Sequence, residues 1–255
     1  MRAAFFGGVY SNWLALEAAL EDARKRGAEA LYCLGDLGGF GPHPNRAIEV
    51  LRGAGVATVQ GNYDDSIGFG KPDCGCGYTD PRDNHFARIS YAYTAEKTSN
   101  VHRPWLAGLP RQLTFEAEGK RYKLVHGSPR QQNEFLWESA SPDAMLESFA
   151  DADVLLCTHT GLHWQRELPS GRRVVNVGAL GRPANDGRTE VWYALLDTER
   201  KGPFEFIPVA YDHQRLAAEL REERLPEEFA ETLLTGWWTT CLEILPARER
   251  QRGRY

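Results

Sequence analysis

Short apolar runs that stop abruptly at polar residues set the pattern of this chain. Residues 3–9 run into Gly7-Gly8, residues 29–34 into Gly35-Asp36, and residues 56–60 into Gly61-Asn62. Each has the length and composition of a buried strand. Between them, residues 13–26 repeat apolar positions at helical spacing, with Ser11 or Asn12 placed as N-cap and Gly27 at the C-terminal stop. Residues 44–53 read as a second helix with Pro44 near its first turn. This alternation predicts parallel strands joined by right-handed crossovers. In open α/β sheets functional groups gather beyond the carboxyl ends of strands, and Asp36 and Asn62 fall there.

The pattern changes further along. Residues 66–84 form a long stretch rich in Gly, Asp, Pro and Cys, placed to make part of a site wall. Residues 86–98 and 102–108 read as helices. Hairpins are predicted at 112–117 with 121–125, 163–168 with 172–177, and 190–197 with 204–211, while the apolar run 153–157 leads to His159. These hairpins predict a second, mixed or antiparallel sheet packed on the first. Residues 213–223 and 226–236 read as closing helices. The expected fold is α/β, as one domain over residues 1–255.

Composition narrows the partners. A hydrophobic content of 42% and a charged content of 25% are ordinary for a globular chain of 255 residues. The net charge of −5 argues against a broad basic face for nucleic acid, although a local metal or arginine can still receive a small anionic substrate. No stretch approaches the ~20 apolar residues of a membrane span. The opening residues read as a first strand rather than a signal peptide, so a cytoplasmic location is expected. Cys33, Cys157 and Cys241 sit in or beside apolar runs, as reduced thiols do. Cys74-Gly75-Cys76 lacks a second pair at zinc-finger spacing and reads as a loop turn carrying two thiols.

The chemistry lies in the polar blocks. Asp36, Asn62, His126 and His159 each follow a predicted strand and are flanked by Gly, Ser or Thr. Carboxylate, amide oxygen and imidazole together suit a divalent Mn, Fe or Zn better than a soft, thiolate-loving ion. Each residue alone reads equally well as a turn or a hydrogen-bonded loop residue; the coincidence of the four carries the signal.

The order and flanks of these blocks resemble the calcineurin-like metallophosphoesterases, and more narrowly a small bacterial branch of phosphodiesterase or protein-phosphatase type. Gly35-Asp36, Gly61-Asn62-Tyr63-Asp64, His126-Gly127-Ser128, Thr158-His159-Thr160-Gly161 and the segment 176–186 carry the resemblance. Residues 73–81 also resemble a loop of that branch. The resemblance implies a two-sheet α/β sandwich with helices outside and two bridged metal sites. One site would use Asp36, Asn62, His126 and His159. The other would use positions 8, 10, 36 and 161, and here Gly8, Tyr10 and Gly161 stand where the family has Asp, His and His. The family's proton-donating His falls on Tyr63, a phenol that donates less readily than an imidazole.

Replacement ligands are conceivable. Tyr10 could bind as a phenolate but reads better as an aromatic filler. His163 shares a strand face with Gly161 but lies ~7 Å further along. Cys74 and Cys76 would soften the metal preference. Arg130 and Arg182 are candidates to meet an anionic substrate, with solvated roles equally open. Two functions follow: a phosphoester hydrolase with one divalent ion, or weakly with two, acting on a small phosphomonoester, phosphodiester or nucleotide, or a catalytically inactive relative serving as a binding or regulatory module. The sequence leaves the oligomeric state open.

Overall fold

A computed structural model describes residues 1–147, 149, 151–200 and 204–250. The first half alternates β1 (Arg2–Phe6), α1 (Trp13–Lys25), β2 (Ala30–Cys33), α2 (Pro44–Gly53), β3 (Ala57–Thr58), α3 (Asn62–Phe69), α4 (Pro81–Lys97) and α5 (Arg103–Ala107). The second half runs β4 (Gln112–Ala117), β5 (Lys120–Val125), α6 (Pro142–Leu146), β6 (Val154–Cys157), β7 (His163–Glu167), β8 (Arg173–Val177), β9 (Val191–Asp197) and β10 (Glu205–Val209). It closes with α7 (His213–Glu222), α8 (Glu227–Thr235) and α9 (Ala247–Arg250).

Two five-stranded sheets result, in the orders β10-β9-β1-β2-β3 and β4-β5-β6-β8-β7. The expected parallel pairing of β1, β2 and β3 is present. The third hairpin departs from expectation. It joins the first sheet, with β9 antiparallel to β1, rather than the second. Nothing in the alternation of β9 and β10 encodes which sheet edge they meet. The second sheet is mixed: β5, β6 and β8 are parallel, flanked by antiparallel β4 and β7.

The sheets face each other across an apolar layer. Ala3, Phe5, Leu34 and Val59 from one meet Tyr122, Leu124, Leu156 and Val175 from the other. Phe5 stacks on Tyr32 at 5.2 Å and Phe115 on Tyr122 at 4.6 Å between ring centroids. Alternate residues of β1, Ala4 and Phe6, point to the opposite face and pack under α1 and α2. Burial on both faces explains why β1 reads as a continuous apolar run. At its end the sheets come into backbone contact: a Cβ on Gly7 would lie 1.7 Å from the Gly178 carbonyl oxygen.

α1 begins where the sequence placed its cap. The Asn12 side chain accepts from the Ala15 N–H at 2.9 Å, and its amide donates to the Gly181 carbonyl at 3.1 Å. The long stretch at 66–84 contracts to 70–80, because Ser66–Phe69 complete α3 and Pro81–Asn84 open α4. Asp80 caps α4 through the Arg82 N–H, with Pro81 in the first turn. Within that loop Cys74 and Cys76 are joined as a disulfide, which corrects the reading of two thiols. The turn at Gly75, φ +59°, brings their Cα atoms to 5.3 Å. Cys33, Cys157 and Cys241 are free and buried. Among the described residues no helix is long and apolar enough to cross a membrane.

Candidate metal centre

Four strands deliver side chains to one place. β2 ends before Asp36, β3 before Asn62, β5 before His126 and β6 before His159. All four residues are buried, at 3%, 4%, 1% and 7% exposure respectively. Asp36, His126 and His159 each bring one ligand atom within 4.8 Å of the others. His126 Nε2 lies 3.3 Å from Asp36 Oδ2 and 3.0 Å from His159 Nδ1.

The outer sides of these groups fix which atoms face inward. A carbonyl oxygen only accepts, so His126 Nδ1 at 2.6 Å from the Leu34 carbonyl carries the proton, and Nε2 faces the cluster. By the same logic His159 donates Nε2–H to the Cys76 carbonyl at 3.2 Å, which turns Nδ1 inward. Asn62 donates its amide to the Cys74 carbonyl at 2.9 Å, while its Oδ1 is buried with no hydrogen-bond partner. A carboxylate and two inward imidazole nitrogens match part of the donor set of one divalent ion, and Asn62, held by the same loop as His159, offers an orphaned buried acceptor. The disulfide loop thus covers the cluster and orients two of its members through backbone carbonyls.

Asp36 itself is held in a left-handed conformation, φ +56°, as are Tyr10 at +50° and His159 at +69°. Such backbones gather at functional sites because the surroundings must over-determine them. Asp64 does much of this. Its carboxylate accepts from the backbone N–H of Asp36 and Gly61 at 2.8 Å and of Leu37 at 3.0 Å. Its role escaped the sequence reading, although an acid three residues after a helix-opening Gly is a recognisable capping signal.

Electrostatics follow from this crowding. Burial pushes the Asp36 carboxyl up, but the facing His126 and His159 outweigh it and hold Asp36 below its ordinary range. Burial lowers His126, yet the Asp36 charge prevails and its pKa rises. Burial, then the charge of His126, brings His159 down to about 3. Burial and the Asp36 charge push Asp64 up to about 6.

The remaining candidates fall elsewhere. The Tyr63 hydroxyl is hydrogen-bonded to Ser90 Oγ at 2.9 Å on α4, and burial pushes its pKa well above the usual value. Only its backbone N–H reaches the cluster, donating to Asp36 Oδ1 at 2.9 Å. His163 is not brought to the cluster: its ring packs on Trp192 and Phe206 at 4.6 and 4.8 Å. Arg130 is engaged by Glu134 and Glu147. Tyr10 fills space, since a Cβ on Gly8 would lie 2.6 Å from its ring carbons. Arg182 is buried beside Gly161. Cys74 and Cys76 contribute carbonyls; their sulfurs are bound to each other.

Comparison with known proteins agrees with this architecture. The chain is 27% identical over 247 residues to an uncharacterized protein of Methanocaldococcus jannaschii, covering 91% of this chain and 97% of that one. A crystal structure of a metallophosphoesterase from Sphaerobacter thermophilus matches with a TM-score of 0.71 at 27% identity, covering 92% of this chain and 99% of that one. A hypothetical protein from Pyrococcus horikoshii matches with a TM-score of 0.77 at 25% identity, covering 93% and 99%. The model of the calcineurin-like phosphoesterase superfamily domain matches residues 1–201. With most of its length matched by that model, the chain belongs to the calcineurin-like phosphoesterase superfamily.

Proposed function

We propose that this chain is a metal-dependent phosphoester hydrolase for a small phosphate ester, with one divalent Mn, Fe or Zn ion held by Asp36, Asn62, His126 and His159. The convergence of Asp36 Oδ2, His126 Nε2 and His159 Nδ1 beside the unpartnered Asn62 Oδ1 carries this reading. When bound, the ion supplies Lewis acidity toward a phosphoryl oxygen and acidifies water. Asp36 supplies the negative charge of the set. Leu34 and Cys76, through their carbonyls, hold the imidazoles in the tautomers that keep a lone pair inward. Tyr63 contributes a backbone N–H that fixes Asp36, and its phenol, committed to Ser90, takes no part in proton transfer.

A second reading is a binding or regulatory module that keeps the fold, with or without one ion, and has no turnover. The absence of ligands at Gly8, Tyr10 and Gly161 favours it. Elemental analysis of tag-free protein, paired with turnover of a generic phosphodiester in added Mn²⁺, separates the two. About one ion per chain with turnover supports the hydrolase. One ion with no turnover across a panel of phosphate esters supports the module, as does no ion with no turnover, and either sinks the hydrolase.

The raised His126 sets a pH dependence. An ion that takes Nε2 must displace the proton there, whereas the lowered pKa of His159 leaves it neutral and that of Asp36 leaves it ionised near neutral pH. Mn²⁺ affinity is therefore expected to fall about tenfold per pH unit below the raised His126 pKa and to level off above it. Isothermal titration between pH 6 and 8.5 in two buffers of different ionisation enthalpy checks this. A pH-independent affinity with no proton release would contradict it.

A further inference from the structure

The loop over the metal centre is closed by its own covalent bond. Cys74 and Cys76 are each 6% exposed, while Asp73, Gly75 and Gly77 around them face solvent. Their disulfide spans only Gly75. Among the described residues, 72–79 make no backbone–backbone hydrogen bond. The loop therefore keeps its shape through that bond and a few side chains. Asp73 Oδ1 accepts from the Gly75 N–H at 2.9 Å, the Gly75 carbonyl from Asn133 Nδ2 at 2.8 Å, and the Tyr78 carbonyl from Asn84 Nδ2 at 3.1 Å.

Two of the four candidate ligands lean on this loop. The Asn62 amide donates to the Cys74 carbonyl at 2.9 Å and to Cys76 Sγ at 3.6 Å, and among the described residues its side chain has no other hydrogen bond. His159 donates Nε2–H to the Cys76 carbonyl at 3.2 Å. The same two cysteines line a cleft of about 580 Å³, together with Tyr78 and, from α4, Ala87, Arg88 and Tyr91. A cleft of that size admits a small molecule to the pair.

We infer that the Cys74–Cys76 disulfide is a thiol-exchange site for a dithiol, and that its reduction loosens the ion held by Asp36, Asn62, His126 and His159. This rests on the one-ion reading above. A thiolate of the dithiol attacks one sulfur of the pair, forms a mixed disulfide and releases the other cysteine as a thiolate. The second thiol of the dithiol then displaces the first cysteine and closes the reagent's own disulfide. Two electrons pass from the dithiol to the loop, and its two protons end on Cys74 and Cys76. A bond that closes so short a loop removes little chain entropy from the unfolded state, so the fold should outlast its loss. The change is local. The Cys74 and Cys76 carbonyls lose their fixed positions, and with them go the orientation of Asn62 and the inward turn of His159 Nδ1. Groups that orient metal ligands in this way are worth about ten- to a hundredfold in metal affinity.

The test compares Mn²⁺ affinity of the full chain, by titration calorimetry, before and after treatment with dithiothreitol, which is removed under nitrogen before the metal is added. Native alkylation with iodoacetamide, read by peptide mass spectrometry, follows the bond. Cys74 and Cys76 should be labelled only after reduction, while the buried Cys33, Cys157 and Cys241 stay unlabelled. Mn²⁺ should bind the reduced chain at least about tenfold more weakly than the oxidised chain. The double variant Cys74→Ser, Cys76→Ser should match the reduced chain and ignore dithiothreitol. Circular dichroism checks the fold of each form, and if the double variant does not fold, the two states of the wild type decide alone. Four outcomes would overturn the inference and leave the one-ion reading standing: both cysteines labelled without reduction, a bond that dithiothreitol leaves intact, a reduced chain that unfolds, or equal Mn²⁺ affinity in the oxidised and reduced chains. No Mn²⁺ bound by either state would overturn both.

Discussion

Asp36→Asn is expected to lower Mn²⁺ affinity by a hundredfold to several-thousandfold and to take any phosphodiester turnover with it. Asp36 is the one carboxylate in the ligand set, and removing one partner of a buried charge pair costs about 3–5 kcal/mol. Asparagine is the informative substitution. It keeps the shape, retains an oxygen for the Tyr63 N–H, and tolerates the left-handed backbone at φ +56° better than alanine does. The loss should therefore report charge rather than collapse. Without the ion, the change also removes the partner that raises His126, whose pKa should fall. Titration calorimetry and the Mn²⁺-induced rise in melting temperature give independent readouts, since an ion that binds only the folded chain stabilises it by mass action. Wild-type Mn²⁺ affinity in Asp36→Asn would remove Asp36 from the ligand set and the proposed function with it.

Gly7→Ala should destabilise the fold by about 3 kcal/mol or more, lowering the melting temperature by roughly 10 °C. The added methyl would sit 1.7 Å from the Gly178 carbonyl oxygen and 2.5 Å from Thr158 Oγ1. The first of these is main chain and cannot swing aside. Thr158 itself is anchored by a short hydrogen bond to the same Gly178 carbonyl, so both sheets would have to separate at their carboxyl ends. The damage would spread to the metal centre, because Thr158 precedes His159. Gly53→Ala is the matched control. It lies at the end of α2 with nothing within 4 Å of its Cβ position, and alanine there should be neutral or slightly stabilising. Equal melting temperatures for Gly7→Ala and wild type would show that the sheets can part at little cost.

Much of the architecture was legible because periodicity is a local property. The strands before Asp36, Asn62, His126 and His159, and the helices between the early ones, announce themselves through runs and spacings. Parallel strands put their carboxyl ends on one edge, so residues of ligand type at those ends were candidates to meet. Other features had no local signal. The third hairpin has the same alternation whichever sheet it joins. Tyr63 looked available as a proton donor until Ser90, 27 residues away, claimed its hydroxyl. Arg130 and Arg182 were indistinguishable on the page of the sequence, yet one is paired by Glu134 and Glu147 and the other is buried against Trp238, 56 residues on. The disulfide between Cys74 and Cys76 depended on a turn geometry that spacing alone does not specify.

The sequence by itself determined the α/β class, the parallel first strands and the identity of the four polar residues that follow strand ends. These depend on hydrophobic period and chain direction, both written along the chain. Only the tertiary structure decided which nitrogen of each imidazole faces inward, that Asn62 Oδ1 is left without a partner, and that Tyr10, Trp238 and Arg182 crowd the space beside Gly8 and Gly161. Those outcomes depend on side chains from distant segments competing for the same few ångströms and the same hydrogen bonds.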